Sequence, residues 1–196
     1  PDGGSLGFGI TILSKNSVFS PFKKLSVAQE YIDSYLINET KFDMRVYALV
    51  ASVSPLKIYV YHDGIARFCS EKATANSIYS QLTNTAINKN NPKVKIESIT
   101  RTIKEVFTLL EKKGIDTKLI WSKMENAVIL TILSVYNYIK QGISQNCSSK
   151  CYNKCFQILG FDFILDQNLN PFILEVNYRP SLDTDTNAEK LLKMNM

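Results

Sequence analysis

The chain has one histidine in 196 residues and only four cysteines. A single imidazole, His62, set in a Tyr-His-Asp-Gly stretch, argues against a His-based catalytic triad and suits a turn residue instead. Three of the cysteines, Cys147, Cys151 and Cys155, follow each other at four-residue spacing, one face of a helix. With no histidine or fourth thiol nearby, they fit reduced cysteines of an intracellular protein better than a metal cluster. Long apolar runs are missing too. The longest, AVILTIL at 127–133, is too short to span a bilayer, and no charged-then-apolar leader opens the sequence, so a soluble intracellular protein with no membrane partner is expected. The net charge of +5 is spread along the chain, without a basic block or aromatic-basic interleaving, which disfavours nucleic acid. An acidic protein surface or a polyphosphate ligand satisfies the same excess.

A hydrophobic content of 45% is enough for one large domain, or one domain plus part of another. The start, PDGGSLGFGITIL, reads as a glycine-rich turn (Gly3, Gly4, Gly7, Gly9) entering a strand, and such glycines let backbone N–H groups approach phosphate. Residues 27–36 read as a strand leading to a connector. Segments 42–52, 56–62 and 65–70 alternate apolar and polar residues and are joined by Ser-Pro and Asp-Gly, which predicts a three-stranded antiparallel meander. On its first strand Asp43, Arg45 and Tyr47 share one face, either as part of a structural cross-strand pair or turned to a ligand. Residues 71–97, rich in Asn, Lys and Ser, read as a surface loop around QLTNTAINKN.

Apolar positions at 99, 103, 106, 107 and 110 predict a helix from Ser98 that stops at Gly114. A second helix should run from Asp116 towards Lys140, with Leu119, Ile120, Met124, Val128, Ile132, Val135 and Ile139 in the core. A third, shorter helix is expected over Tyr152 to Leu159. Strands and helices in blocks indicate an α+β domain.

The stretch FDFILDQNLNPFILEVN at 161–177 predicts a hairpin. If Asp166 and Pro171 flank a four-residue loop, Asp162 stands opposite Glu175, with Asn177 two residues along the same strand. Period-two alternation then puts these three on one face, and Phe161, Phe163, Leu165, Phe172, Leu174 and Val176 on the other. Two carboxylates and an amide carbonyl suit a hard cation that also takes substrate phosphates. By pattern alone, a half-buried hairpin with its polar residues in water is the simpler reading.

The segments TKFDMRVYALVASVSPLKIYVYHDGIARF, QLTNTAINKN and CFQILGFDFILDQNLNPFILEVNYRPSLDTDT, with the glycine-rich start, resemble in order and spacing the tubulin tyrosine ligase-like family of ATP-grasp ligases, and most nearly its polyglutamylase members. The resemblance implies an incomplete ATP-grasp fold: residues 1–37 as part of the central domain, with glycine-rich loop and adenine hinge, and 38–196 as the C-terminal catalytic domain. The family's N-terminal domain and an ATP-contacting Lys expected just before Pro1 are missing, as in a fragment. It also implies that Asp162, Glu175 and Asn177 hold the Mg2+ that bridges the ATP phosphates. Gln29, Glu30, Tyr31 and Ile32 would form the adenine hinge, Gly7 the phosphate loop, and Lys41 and Asp43 would lie beside the nucleotide. Arg45 and Arg67 would be catalytic groups in the active site. Thr83 and Asn84 would lie where nucleotide and amino acid meet, and Arg67, Thr85 and Ala86 would contact the incoming amino acid.

The implied reaction phosphorylates a carboxylate with ATP and lets an amine attack the acylphosphate, with no protein nucleophile. Implied partners are free glutamate, the acidic tails of tubulin, and microtubules, with a cytoskeletal setting that extends to cilium or basal body. The chain departs from the family at several places. Leu6 and Phe8 replace a Gln and a basic residue in the glycine loop, Gln81 replaces a His, Thr85-Ala86 replaces Tyr-Ser, and Thr100-Arg101 falls where a Lys is expected. Arg101 is therefore a candidate for the missing cation. A non-catalytic tubulin- or microtubule-binding relative and a tubulin glycine ligase are the alternatives.

Overall fold

A computed structural model describes residues 9–13, 25–146 and 155–196. The glycine-loop positions Gly3, Gly4, Leu6, Gly7 and Phe8, and Cys147 and Cys151, lie outside the described residues. Gly9 has φ 80°, the left-handed region open to glycine. Residues 10–13 and 25–33 carry no regular secondary structure, so the strands expected at the start and over 27–36 reduce to an isolated bridge between Ser34 and Asp166 and the two-residue β1, Leu36–Ile37.

β1 turns back through Asn38 and Glu39, both at positive φ, into the long β2, Thr40–Val53. Ser54-Pro55 then joins β2 to β3, Leu56–Phe68. The two strands expected at 56–62 and 65–70 are thus one. Asp63-Gly64 is not a turn but part of an irregularity that bends β3 between the pairs Val46↔Gly64 and Ala48↔Val60. Tertiary contacts override the turn signal. The Asp63 carboxylate accepts from Gly64 N at 2.8 Å and from Lys104 N at 3.0 Å, which ties the bend to a later helix. A Cβ on Gly64 would come within 2.2 Å of the Arg45 carbonyl oxygen and 2.6 Å of Ile103, so this close approach needs glycine. His62 lies within β3, its Nε2 2.9 Å from Glu125 Oε1 and its ring near Trp121.

After a 3₁₀ turn at Ala73–Ala75 come three one-turn helices, α1 (Ile78–Gln81), α2 (Thr85–Asn88) and α3 (Ile96–Ile99). This segment is less superficial than its composition suggests, since Ser80, Thr83, Asn88 and Asn91 are buried. β4, Thr100–Thr102, interrupts the first expected helix and pairs with β3. α4, Ile103–Glu111, starts at a capping box in which Thr102 Oγ1 accepts from Glu105 N and Glu105 Oε2 from Thr102 N. It ends before Gly114, at φ 77°.

α5, Thr117–Asn146, begins beside Asp116, whose carboxylate accepts from Leu119 N at 3.1 Å. Its buried stripe is Ile120, Trp121, Met124, Val128 and Ile132, whereas Leu119 and Val135 are exposed. Among the described helices α5 alone is long and apolar enough to cross a bilayer. Its buried stripe joins the core against the sheet.

β5, Gln157–Leu165, and β6, Pro171–Asn177, form the expected hairpin. The predicted third helix is overturned over its last residues, because Gln157 to Leu159 already pair with β2, and Cys155 precedes the strand without helical structure. A register shift after Asp162 pairs Phe163 with Ile173. Ile173 therefore packs on the core and Phe172 and Leu174 are exposed, whereas Val176, opposite Phe161, keeps the expected face but is also exposed. α6, Asn187–Lys193, closes the chain.

The antiparallel sheet has the order β4-β3-β2-β5-β6, with β1 added to β2. Its even-numbered β2 residues Phe42, Met44, Val46, Ala48 and Val50 join Phe161, Phe163 and Leu165 in a core under α4 and α5. The opposite face is where Asp43, Arg45 and Tyr47 fall, and at one end α6 covers it through Leu192 on Tyr47 and Ile65.

Candidate functional site

The polar face of the sheet is built from directly opposed residues. Asp43 on β2 is the Cα partner of Arg67 on β3, and Arg45 on β2 is the partner of Asp162 on β5. Each pair is bonded through two nitrogens. Arg67 donates Nε and Nη2 to Asp43 at 2.7 and 2.8 Å, and Arg45 donates Nε and Nη2 to Asp162, the latter at 2.8 Å. Arg67 Nη2 also lies 2.9 Å from Asp162 Oδ2, and Thr83 donates its hydroxyl to Asp43 at 2.7 Å. The result is one connected row, Thr83, Asp43, Arg67, Asp162 and Arg45, across three central strands. Asp43 and Asp162 are each only 3% exposed.

Charges this deep need partners, because each would otherwise forfeit its hydration without return. Burial of Asp162 opposes its ionisation, but hydrogen bonds and charge from Arg45 and Arg67 outweigh it and hold the carboxyl below its usual range. Burial likewise works against the Arg67 and Arg45 cations. The carboxylates beside them prevail and raise both guanidinium pKa values.

Lys41, two residues before Asp43 on the same face, is buried, and its ammonium lies 3.8 Å from the centre of the Tyr31 ring. Burial lowers its pKa, partly offset by Cys69, Asp43 and Asp33. Tyr31 donates its hydroxyl to the Gln81 carbonyl at 3.2 Å, and its own pKa is pushed up to about 12, chiefly by burial. Of the other predicted hinge residues, Gln29 and Glu30 are exposed and Ile32 half-buried, with no regular structure.

Asn84 caps α2, its carbonyl accepting from Ala86 N at 2.9 Å and Ile87 N at 3.3 Å, so Thr85 and Ala86 form the first turn. Asn88 holds this segment in place. Its amide donates to the Leu82 and Asn84 carbonyls, and its oxygen accepts from Ser70 N. In the sequence the only signal for Asn88 and Asn91 is a pair of Asn in a polar stretch. Cys69, which no local pattern marks, is buried near Lys41, and burial pushes its thiol pKa up to about 12.

The hairpin register sets Asp162 opposite Glu175 and Gly160 opposite Asn177, so Asp162, Glu175 and Asn177 do share a face. They are not one cluster. Asp162 turns inward to the arginines, while exposed Glu175 accepts from Asn177 Nδ2 at 3.1 Å. Among the described residues no three His, Cys, Asp or Glu side chains form a ready metal cage. The donor set still fits a magnesium ion in kind, since that ion binds through one or two carboxylates and completes its shell with water and phosphate. Arg101, paired with Ala66, has its guanidinium 5.2 Å from the Phe68 ring on the core side, away from the Arg45–Arg67 row.

A sheet face carrying two buried carboxylates, two arginines and a buried lysine beside an aromatic ring is suited to an anionic ligand with a bound cation. Comparison with known proteins gives this site a family. The chain is 37% identical over 185 residues to a probable beta-tubulin polyglutamylase of Tetrahymena thermophila, covering 86% of this chain and 16% of that protein. It is 35% identical over 199 residues to the probable tubulin polyglutamylase TTLL2 of Homo sapiens, covering 96% and 32%. To the tubulin monoglutamylase TTLL4 of Mus musculus it is 32% identical over 208 residues, covering 100% and 17%. The chain thus spans about a third or less of the length of these relatives. The profile described as Tubulin-tyrosine ligase family matches residues 1–196, and the chain belongs to that family.

Proposed function

We propose that this chain is part of an ATP-dependent ligase of ATP-grasp type that adds glutamate to carboxylate side chains in the acidic tails of tubulin. The observation that carries it is the buried row Asp43, Arg67, Asp162 and Arg45, in a family member whose relatives bear polyglutamylase and monoglutamylase names. Residues 1–37 would contribute to the central ATP-grasp domain and 38–196 to the catalytic one. ATP would lie with its base near Gln29, Glu30, Tyr31 and Ile32 and its phosphates towards Gly7, Lys41 and the arginine row.

Asp162, Glu175 and Asn177 would hold Mg2+, which when bound offsets phosphate charge. The remaining chemistry falls to the chain's own side chains. Arg45 and Arg67 present fixed cations where negative charge builds on the transferring phosphoryl group, and Asp43 and Thr83 keep Arg67 aimed. Because burial and paired carboxylates hold the guanidinium groups in place, little reorganisation accompanies the reaction. The acceptor carboxylate becomes an acylphosphate, which the amine of the incoming amino acid attacks as phosphate leaves. Thr83, Asn84, Thr85 and Ala86 would line the place of that amine. Microtubules, in cytoplasm or cilium, are the setting this reading implies.

The test is to incubate the full-length protein with ATP, magnesium, tubulin and, in turn, labelled glutamate, glycine or tyrosine. Incorporation of glutamate supports the proposal. Label from glycine alone would move the assignment to a glycine ligase, and no incorporation of any label would defeat the ligase reading.

A further inference from the structure

Arg45 reaches Asp162 by lying across β5, and the strand is cut away beneath it. Gly160 is two residues before Asp162 on the same face. A Cβ at that position would lie 3.0 Å from Arg45 Cδ, 3.3 Å from Arg45 Nη1 and 2.8 Å from Pro180 Cβ. Pro180 belongs to the segment that follows β6 and folds back over the sheet. That segment is fastened at both sides of the proline, by Gln157 Nε2 donating to the Tyr178 carbonyl and by a long contact of 3.5 Å from the Tyr47 hydroxyl to the Ser181 carbonyl. No positive φ accounts for glycine at 160. The space does.

We propose that Gly160 and Pro180 are positioning residues that form a slot for Arg45, fixing its guanidinium in the plane of Asp162. The absent side chain at 160 makes the floor of the slot and the proline ring its outer wall. A methyl group added at 160 must shift the Pro180 ring and press on the Arg45 side chain at once. Because the neighbouring Asp162 takes Nε and Nη2, a tilt of the guanidinium disturbs both bonds together. The catalytic consequence rests on the ligase reading above, but the slot itself does not.

The decisive experiment is a double-mutant cycle on the full-length protein with Gly160→Ala and Arg45→Ala, read in two ways. In the labelled-glutamate assay Gly160→Ala should lower kcat by about tenfold to a hundredfold with a smaller change in KM for ATP, since misplacement of a catalytic group by about 1 Å has that scale of effect. In the Arg45→Ala background the same methyl should cost clearly less, its contact with Pro180 alone remaining. Thermal melting gives the second reading: the Tm loss from Gly160→Ala should shrink once the arginine side chain is gone.

Independent, additive losses in both readings would overturn the slot. If the unaltered protein transfers no label, the ligase reading fails and the melting cycle alone decides the slot. Should Gly160→Ala not fold, Pro180→Gly opens the outer wall without adding volume. Lowered kcat in that variant, or a shrunken Tm effect in its own cycle with Arg45→Ala, supports the proposal, and additive behaviour refutes it.

Discussion

The two faces of the sheet bury side chains almost equally well and by opposite means. Under α4 and α5, Met44, Val46, Phe161 and Phe163 are fully buried by apolar contact, which is non-directional and tolerates small shifts. On the other face Asp43 and Asp162 are buried nearly as deeply, but only because each oxygen meets a guanidinium or hydroxyl in a fixed direction. An apolar layer of comparable volume would hold the fold at least as well, since buried ion pairs carry a large desolvation cost. That cost without a gain in stability accords with the proposed ligand role of the polar face. Changes that leave it charged but unpaired should be the most damaging.

The largest effect is expected from Asp162→Ala. It strands Arg45 and one arm of Arg67, and loss of one partner from a buried pair typically costs about 3–5 kcal/mol. Urea unfolding should show that loss, whereas Asp162→Ala combined with Arg45→Met should recover part of it. Equal stability of the single and double variants would mean that the row is not held by charge pairing.

Gly64→Ala probes where the two faces meet, for the new methyl would enter the helix-packed side and press on the Arg45 backbone at once. Overpacking at a site whose nearest atom is backbone should cost about 1–3 kcal/mol. A thermal melt unchanged from the parent would show that the bend in β3 relaxes freely.

The sequence made these two faces legible to different degrees. Helices α4 and α5 follow from apolar spacing and caps. The pairing Asp162↔Glu175 is the expected one but is reached differently, because the turn pairs Leu165 rather than Asp166 with Pro171 and a one-residue shift after Asp162 restores it. The shared face of Asp43, Arg45 and Tyr47 was equally plain. What each charge does was not, because pairing depends on which strands neighbour β2, and that is a tertiary fact. The Asp-Gly signal misled for a similar reason: Asp63 spends its carboxylate on the start of α4, which no local pattern announces. Phe172 and Leu174 looked like core because one bulged residue exchanges the faces of a strand without altering its alternation.

A milder contrast appears in alkali. Burial keeps the Cys69 thiol neutral up to about pH 12, while in the unfolded chain it ionises near the ordinary value of about 8.5. The folded pKa being the higher, this contribution to stability is complete below about pH 8.5 and is lost as pH rises towards 12. Tyr31 acts in the same direction from about pH 10. Lys41, with its pKa lowered, acts in the opposite sense, binding fewer protons folded than unfolded. Comparing the parent with Cys69→Ala isolates the thiol: the stability difference between them should shift in favour of the variant as pH goes from 8 to 11. A difference independent of pH would place the thiol in contact with solvent.

The smallest change in stability is expected from Glu175→Gln, although Glu175 stands directly opposite Asp162 and shares its proposed role at the metal. Its side chain is exposed on β6, which ends the sheet among the described residues, and among those residues it accepts one side-chain hydrogen bond, from Asn177 Nδ2, which an amide oxygen accepts about as well. A substitution of this kind moves unfolding by no more than about 0.5 kcal/mol. Removing the charge nonetheless takes away one of two carboxylates available to a magnesium ion, so glutamate transfer should fall sharply while the melting curve stays where it was. Asp162→Ala cannot separate these effects, because its carboxylate both pairs the arginines and faces the proposed ion. Unchanged transfer by Glu175→Gln would remove Glu175 from the metal site and leave Asp162 as an ion-pair hub alone.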